Sequence, residues 1–349
     1  MPKQIAITEE FLQQLPKTEL HCHLDGSLRL NTILDLAQKD KVELPSTNPN
    51  TLLKMVSVTG HKGTLADYLE KFEITLSVLQ TPAALSRAAY ELAEDCHSEN
   101  VLYLEVRYSP ILHTQRGMTP MESVDAVLKG LKLAEQDFKI KTGIIICGIR
   151  SISPEVSYQL AELAVAFKNR GVVGFDLAGI EENFPAKDHR EAFSLILNNN
   201  INTTLHAGED YGPESIHQAV HYCGAHRIGH GVRLKEDGDL LNYINDHRIA
   251  LEICMTSNIH TGSVKNYESH PFKFYYDYGL RVTLNTDNRL ISNTSLTKEY
   301  LLAHRYFNLQ IPDFKEIIIG GFKSAFLPHR TRTEIIKQIA EQLDTYVSV

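Results

Sequence analysis

The sequence is short of cysteine, of positive charge and of long apolar runs, and each shortage removes a class of protein. The five cysteines, Cys22, Cys96, Cys147, Cys223 and Cys254, are scattered without CxxC spacing. That pattern supports neither a disulfide framework nor a cysteine zinc site, so they read as reduced, mostly buried thiols. With 35 basic against 43 acidic residues the formal charge is -8. Such a chain offers no basic field for counterion release, which argues against nucleic acid or anionic membrane surfaces as partners and leaves a small neutral ligand. No apolar run is long enough to span a bilayer, and the opening MPKQIAITEEFLQQLPK lacks the apolar core of a signal peptide, so a cytoplasmic location is expected. Linkers rich in Pro, Gly or Ser, low-complexity tracts and fixed-period repeats are also missing. The expectation is one domain over residues 1–349, with a hydrophobic share of 43% that suffices for a large core.

What is present is an alternation of short β-branched or apolar runs with longer helical stretches, the pattern of parallel strands joined by crossover helices. Eight runs recur: TELHCHLD (18–25), VLYLEVRYS (101–109), TGIIICGI (142–149), VVGFDLAG (172–179), NTTLHAG (202–208), HRIGHG (226–231), IALEICMTS (249–257) and RVTLNTD (281–287). Most are apolar without clean alternation, as strands buried on both faces should be. The fold class predicted is therefore α/β, a (β/α)8 TIM-type barrel. Between the first two runs, roughly residues 30–100, lies a helical insertion expected to cover the barrel mouth. In it TLADYLEKFEITLSVL reads as one helix, with Leu65, Tyr68, Leu69, Phe72 and Leu76 on a face that serves either a lid or the ordinary core.

His21 and His23 stand two apart in the first run, so the strand period points both imidazoles to one face. An HxH alone is a weak metal signal, and the support comes from the ends of other strands, where barrel active sites collect. His206 and Glu209 close the fifth run in HAGE, His230 the sixth in GHG, and Asp287 the eighth in NTD. His21, His23, His206 and Asp287 together make three imidazoles and a carboxylate, a set that suits one Zn2+ per chain and leaves room for water. Zinc lowers the pKa of a water it binds to about 7, which makes hydrolysis the natural chemistry. His230 is then read as the group that orients and deprotonates the water, and Glu209 as the proton donor to substrate, with a carboxylate orienting His206 as its structural alternative. The fourth run has no lysine to bridge two ions, and HxE with PCxxC is absent, so a single metal in the barrel arrangement is favoured.

Seven blocks, ELHCHLDGS, EVRYSP, GFDLAG, HAGE, RIGHGVRL, TSN and LNTDN, spread from position 19 to 288. In content, order and spacing they resemble the adenosine deaminase family over nearly the whole chain, its bacterial members above all. The resemblance implies zinc-dependent hydrolysis of adenosine or 2'-deoxyadenosine at C6 to the inosine product and ammonia. It makes Glu209 the donor to purine N1, with His230 assisting the water. It also matches Asp25 to the residue that contacts a sugar hydroxyl and Gly179 to the backbone group that contacts purine N3. Asp25 could equally be a structural partner of a lid residue, and Gly179 only a turn glycine. Many members carry a second aspartate after NTD's aspartate, where this sequence has Asn288, whose amide can still donate to purine N7. Arg289, next in line, either pairs with an acidic neighbour or reads an anionic group on the substrate. Rival readings are deamination of aminodeoxyfutalosine, N6-methyl-AMP or adenine, and a purine- or metal-binding barrel without turnover.

Overall fold

The computed structural model describes residues 6–58 and 63–347. Its centre is eight strands: β1 (Lys17–His23), β2 (Val101–Tyr108), β3 (Lys141–Ile149), β4 (Val172–Ala178), β5 (Asn202–Ala207), β6 (Arg227–His230), β7 (Ala250–Ile253) and β8 (Val282–Leu284). They pair in sequence order, every pair parallel. The ring is drawn shut just beyond β8, where Cys22 bridges to Asp287 and the chain exchanges two backbone bonds, His23 N to Asp287 O at 2.7 Å and Asp287 N to His21 O at 2.9 Å. The (β/α)8 barrel expected from the eight runs is the observed fold.

The strand runs lie where the sequence places them because their apolar residues are covered on both faces, as in β3, where Ile144, Ile145 and Ile146 are fully buried. Crossover helices start where proline occupies the first turn, at Pro82, Pro120, Pro154 and Pro213, a position where its missing N–H costs nothing. One expected bound shifts by a full helical turn. The seventh run, taken as extended to 257, leaves the sheet at Ile253, and Met255–His260 is a helix. Thr256 favours a strand by propensity, but it and Ser257 are needed at the barrel mouth, and tertiary placement overrides the preference.

Between β1 and β2 the chain forms helices Leu30–Asp40, Pro49–Val56, Leu65–Leu69, Phe72–Val78 and Pro82–Ser98. Residues 59–62 of the expected insertion lie outside the described residues. The single helix expected over TLADYLEKFEITLSVL is two, broken at Glu70 and Lys71, the first opened by a capping box between Thr64 and Asp67. Pro82–Ser98 belongs to the outer ring: it presses on helix Pro120–Asp137 so closely that a Cβ on Gly130 would lie 2.1 Å from the Ser86 carbonyl oxygen. The lid proper therefore ends before Pro82.

Inside the barrel the layers are charged as well as apolar. Arg107 of β2 reaches Asp176 of β4 at 3.0 Å and Glu252 of β7 at 2.8 Å. Arg227 of β6 binds Glu252 at 2.5 Å and also pairs with Glu105, its guanidinium stacked 3.6 Å from the Phe326 ring centroid. All five charged groups are buried, and such groups persist only when each is paired and hydrogen-bonded.

Candidate active site

At the carboxyl ends of the strands His21, His23, His206 and Asp287 place one donor atom each within 4.8 Å of one another. The His206 Nε2 lies 3.1 Å from Nε2 of His21 and of His23, and Asp287 Oδ1 lies 3.3 Å from the same two nitrogens. Donors about 2.0–2.2 Å from a shared tetrahedral centre stand roughly 3.3–3.6 Å apart, so these separations fit one zinc-sized cation. The donor set suits a cation, because imidazole nitrogens turned on one point repel unless something positive accepts their lone pairs.

The orientation of each donor is fixed from behind. His21 Nδ1 is 2.8 Å from Glu252 Oε2, and His206 Nδ1 is 3.0 Å from Asp176 Oδ2, so each ring gives its Nδ1 hydrogen to a carboxylate and turns Nε2 toward the cluster. Ser257 donates to Asp287 Oδ2 at 2.6 Å, leaving Oδ1 for the cluster. Asp287 holds φ at 61° and His230 at 63°, a left-handed backbone that is costly for non-glycine residues and found at functional sites. Burial opposes ionisation of Asp287, but the hydrogen bond and charge of His21, with His23 and His230, hold its carboxyl well below the usual range. Burial, the largest influence, keeps His23 and His230 neutral by lowering both far below an ordinary imidazole.

Glu209 and His230 stand together on the far side of the cluster, His230 Nε2 being 3.4 Å from Glu209 Oε2. Burial raises the Glu209 carboxyl well above its ordinary range, and the negative charges of Asp287 and Glu181 push it further. A carboxyl shifted in that direction favours its protonated form and can act as a proton donor. Its main chain is tied down by Glu181, whose carboxylate accepts from the N–H groups of Gly208, Glu209 and Asp210 at 2.8, 2.7 and 2.9 Å. Gly208 is obligatory there: its φ is +68° and a Cβ would lie 2.4 Å from Ile216 Cδ1. The Thr261 hydroxyl donates to Glu209 Oε1 at 3.1 Å.

A cavity over the cluster is lined by His23, His206, Glu209, His230 and Asp287, by Gly179 and Asn288, and by Leu65, Tyr68, Leu69 and Phe72 from the insertion. The apolar residues expected on the lid therefore face the site, except Leu76, which lines no part of the cavity. Gly179 has φ of +100°, a conformation that favours glycine. Asn288 packs so tightly on the backbone that a Cβ on Gly26 would sit 1.8 Å from its Oδ1, and that oxygen is buried without a partner. Asp25 is not part of the wall. β1 ends at His23, so Asp25 lies in the following turn, buried, with Oδ2 3.9 Å from His113 Nε2 and Oδ1 unpartnered, and burial raises its carboxyl to about 7. Arg289 points away from the cavity and pairs with Glu99, which settles its role as structural.

The sequence reading missed Asp176, Glu252, Glu181, Ser257, Asn258 and Thr261. Three of these lie in blocks that carry the resemblance, Asp176 in GFDLAG and Ser257 and Asn258 in TSN, and Glu181 follows GFDLAG by two residues. Glu252 and Thr261 have no local signal, because each meets its partner from a distant part of the chain.

A family model described as adenosine deaminase matches residues 16–342. A probable adenosine deaminase of Dictyostelium discoideum is 42% identical over 92% of this chain, which spans 42% of that relative's length. An adenosine deaminase of Mycobacterium ulcerans is 41% identical, over 95% of this chain and 96% of its own. The solved structure of an Arabidopsis N6-mAMP deaminase superposes with a TM-score of 0.84 at 28% identity, covering 96% of this chain and 99% of its own. With the match running from β1 past the last strand, and a histidine and aspartate cluster able to hold a metal ion at the barrel mouth, this chain belongs to the adenosine deaminase family.

Proposed function

We propose that this protein is a zinc-dependent hydrolase that deaminates adenosine and 2'-deoxyadenosine at purine C6, giving the inosine product and ammonia, and that it works in the cytoplasm as one barrel domain. The observation that carries the reading is the buried carboxyl of Glu209, set beside four converging donors at the floor of an apolar-walled cavity. His21, His23, His206 and Asp287 would hold the zinc ion, which when bound acidifies a water and so supplies the nucleophile near neutrality.

The protein's own groups do the rest. Glu209 gives its proton to purine N1 as the water oxygen joins C6, which removes the ring's aromatic resistance to addition. His230 holds the adding oxygen in line with C6. Of the water's two hydrogens one leaves with the amine as ammonia and the other returns to Glu209, replacing the proton given to N1, so the atoms balance. Gly179 offers its backbone to the purine N3 edge and Asn288 its amide to N7, while Leu65, Leu69 and Phe72 keep bulk water away. Asp25, buried in the turn after β1 and outside the cavity wall, is assigned to a sugar hydroxyl only by the resemblance.

A nucleoside is favoured over a nucleotide because no lysine or arginine is among the described residues lining the cavity. A phosphate would require one. The test is a substrate panel of adenosine, 2'-deoxyadenosine, adenine, N6-methyl-AMP and aminodeoxyfutalosine compared by kcat/KM, with adenosine and its deoxy form expected first. Chelation should abolish turnover and added Zn2+ restore it. Glu209→Gln should lower kcat by roughly 10²–10⁴-fold with metal content unchanged. Near-wild-type turnover by that variant would remove the proposed acid.

A further inference from the structure

Which ring nitrogen of His230 carries the hydrogen decides whether that residue takes a proton from the adding water or donates a hydrogen bond to it. The answer is set by a buried chain of hydrogen bonds leading away from the site. It begins at a group whose role is not open to choice: the backbone N–H of Phe272 donates to His270 Nδ1 at 3.0 Å. His270 is 4% exposed, and burial, with Lys235 nearby, lowers its pKa to about 3, so the ring is neutral and its hydrogen is on Nε2. That Nε2 lies 3.2 Å from Asn258 Oδ1 and must donate to it. The amide is thereby oriented, and its Nδ2 donates to His230 Nδ1 at 3.0 Å. Asn258 is fully buried and His230 1% exposed, so no water stands in for either contact. With Nδ1 an acceptor, a neutral His230 holds its hydrogen on Nε2, the nitrogen that faces Glu209 and the metal cluster.

Reversing the chain fails at its root. A His230 with its hydrogen on Nδ1 would turn the Asn258 amide round, push the His270 hydrogen onto Nδ1, and set it against the Phe272 N–H. Two donors would then face each other in a dry interior, which proteins avoid.

We propose that the Phe272–His270–Asn258 chain locks His230 as an Nε2–H donor, so that His230 stabilises the oxygen adding to C6 by hydrogen bonding instead of removing its proton. This replaces the proton-accepting role that the sequence suggests for His230, and it makes Asn258 and His270 positioning residues. It rests on the reading that a nucleophilic oxygen sits beside His230.

The test reads the tautomer directly. In protein labelled with ¹⁵N-histidine, metal-free and zinc-loaded, the His230 signals are identified by their loss in His230→Asn. The expected spectrum has a protonated Nε2 and an unprotonated Nδ1. Asn258→Asp offers acceptors to both neighbours and should move the His230 hydrogen to Nδ1, lowering kcat on the order of 10²–10⁴-fold, the scale of a misplaced tautomer, with little change in KM. Should that variant fold poorly, the pair His270→Gln and His270→Leu serves. Glutamine can still donate to Asn258 and should keep most of kcat, whereas leucine cannot and should lose it. A wild-type spectrum with the hydrogen on Nδ1, wild-type kcat in a tautomer-switched Asn258→Asp, or equal kcat in the two His270 variants would overturn the proposal. Absence of deamination on every aminopurine would sink the proposed function instead, and the spectrum would still report the tautomer.

Discussion

Replacing Glu252 by glutamine tests whether the charged interior of the barrel holds the metal site in place. The carboxylate is fully buried and accepts four donors: His21 Nδ1 at 2.8 Å, Arg107 at 2.8 Å, the Thr204 hydroxyl at 2.9 Å and Arg227 Nε at 2.5 Å. A glutamine has one acceptor oxygen and presents an NH2 to the other side, so whichever way it turns one guanidinium meets a donor. The charge that balances Arg107 and Arg227 is lost as well. Breaking a buried ion pair by removing one partner costs about 3–5 kcal/mol. For a chain of 349 residues, an unfolding entropy of about 2.1 cal/mol/K per residue sums to roughly 0.7 kcal/mol/K, so Tm should fall by about 4–7 °C. His21 loses the acceptor that fixes its tautomer, and zinc affinity should weaken by about 10–100-fold. Thermal unfolding and competition with a chromophoric chelator measure the two effects. Thr204→Val removes only a neutral donor from the same carboxylate and should cost about 1 kcal/mol, a shift of about 1–2 °C. If Glu252→Gln unfolded within about 1 °C of the parent and held zinc as tightly, the interior charges would not be coupled to the site as argued.

Other perturbations have equally definite outcomes. Glu181→Gln cannot accept all three N–H groups of the Gly208–Asp210 turn, so Glu209 should drift and kcat fall by about 10–100-fold while KM and metal content hold, as steady-state kinetics and metal analysis would show. His113 is buried, donates Nδ1–H to the Leu79 carbonyl at 2.9 Å, and is lowered by burial to about 4. Because its folded pKa lies below the unfolded value of about 6.5, the unfolded chain binds the proton first, and stability is lost as pH falls through that window. Between pH 7.5 and 5.5 this one group should remove about 1.4 kcal/mol. Urea midpoints for the parent and His113→Gln should therefore converge as the pH drops, and a constant gap between them would contradict the assignment.

The sequence alone determined the barrel and pointed to the four residues that cluster at its mouth. Eight apolar runs at regular intervals suffice for parallel strands, because burial on both faces leaves its mark within each run. The strand period puts His21 and His23 on one face, and polar residues at the ends of otherwise apolar runs stand out, as His206, His230 and Asp287 do. Local backbone geometry governs both signals, so they are visible without a partner. What only the tertiary structure decided is which residues those donors lean on. His21 meets Glu252 across 231 positions, a contact created by closing the ring, and His206 meets Asp176 across 30, from the neighbouring strand. The break at Glu70 and Lys71 in the lid was likewise hidden, since apolar spacing continues through it. So was the turn that carries Asp25 off the strand, because the direction in which a chain leaves a sheet is set by what it packs against. A carboxylate that orients a ligand has the composition of any other, and its role exists only where folding brings the two together.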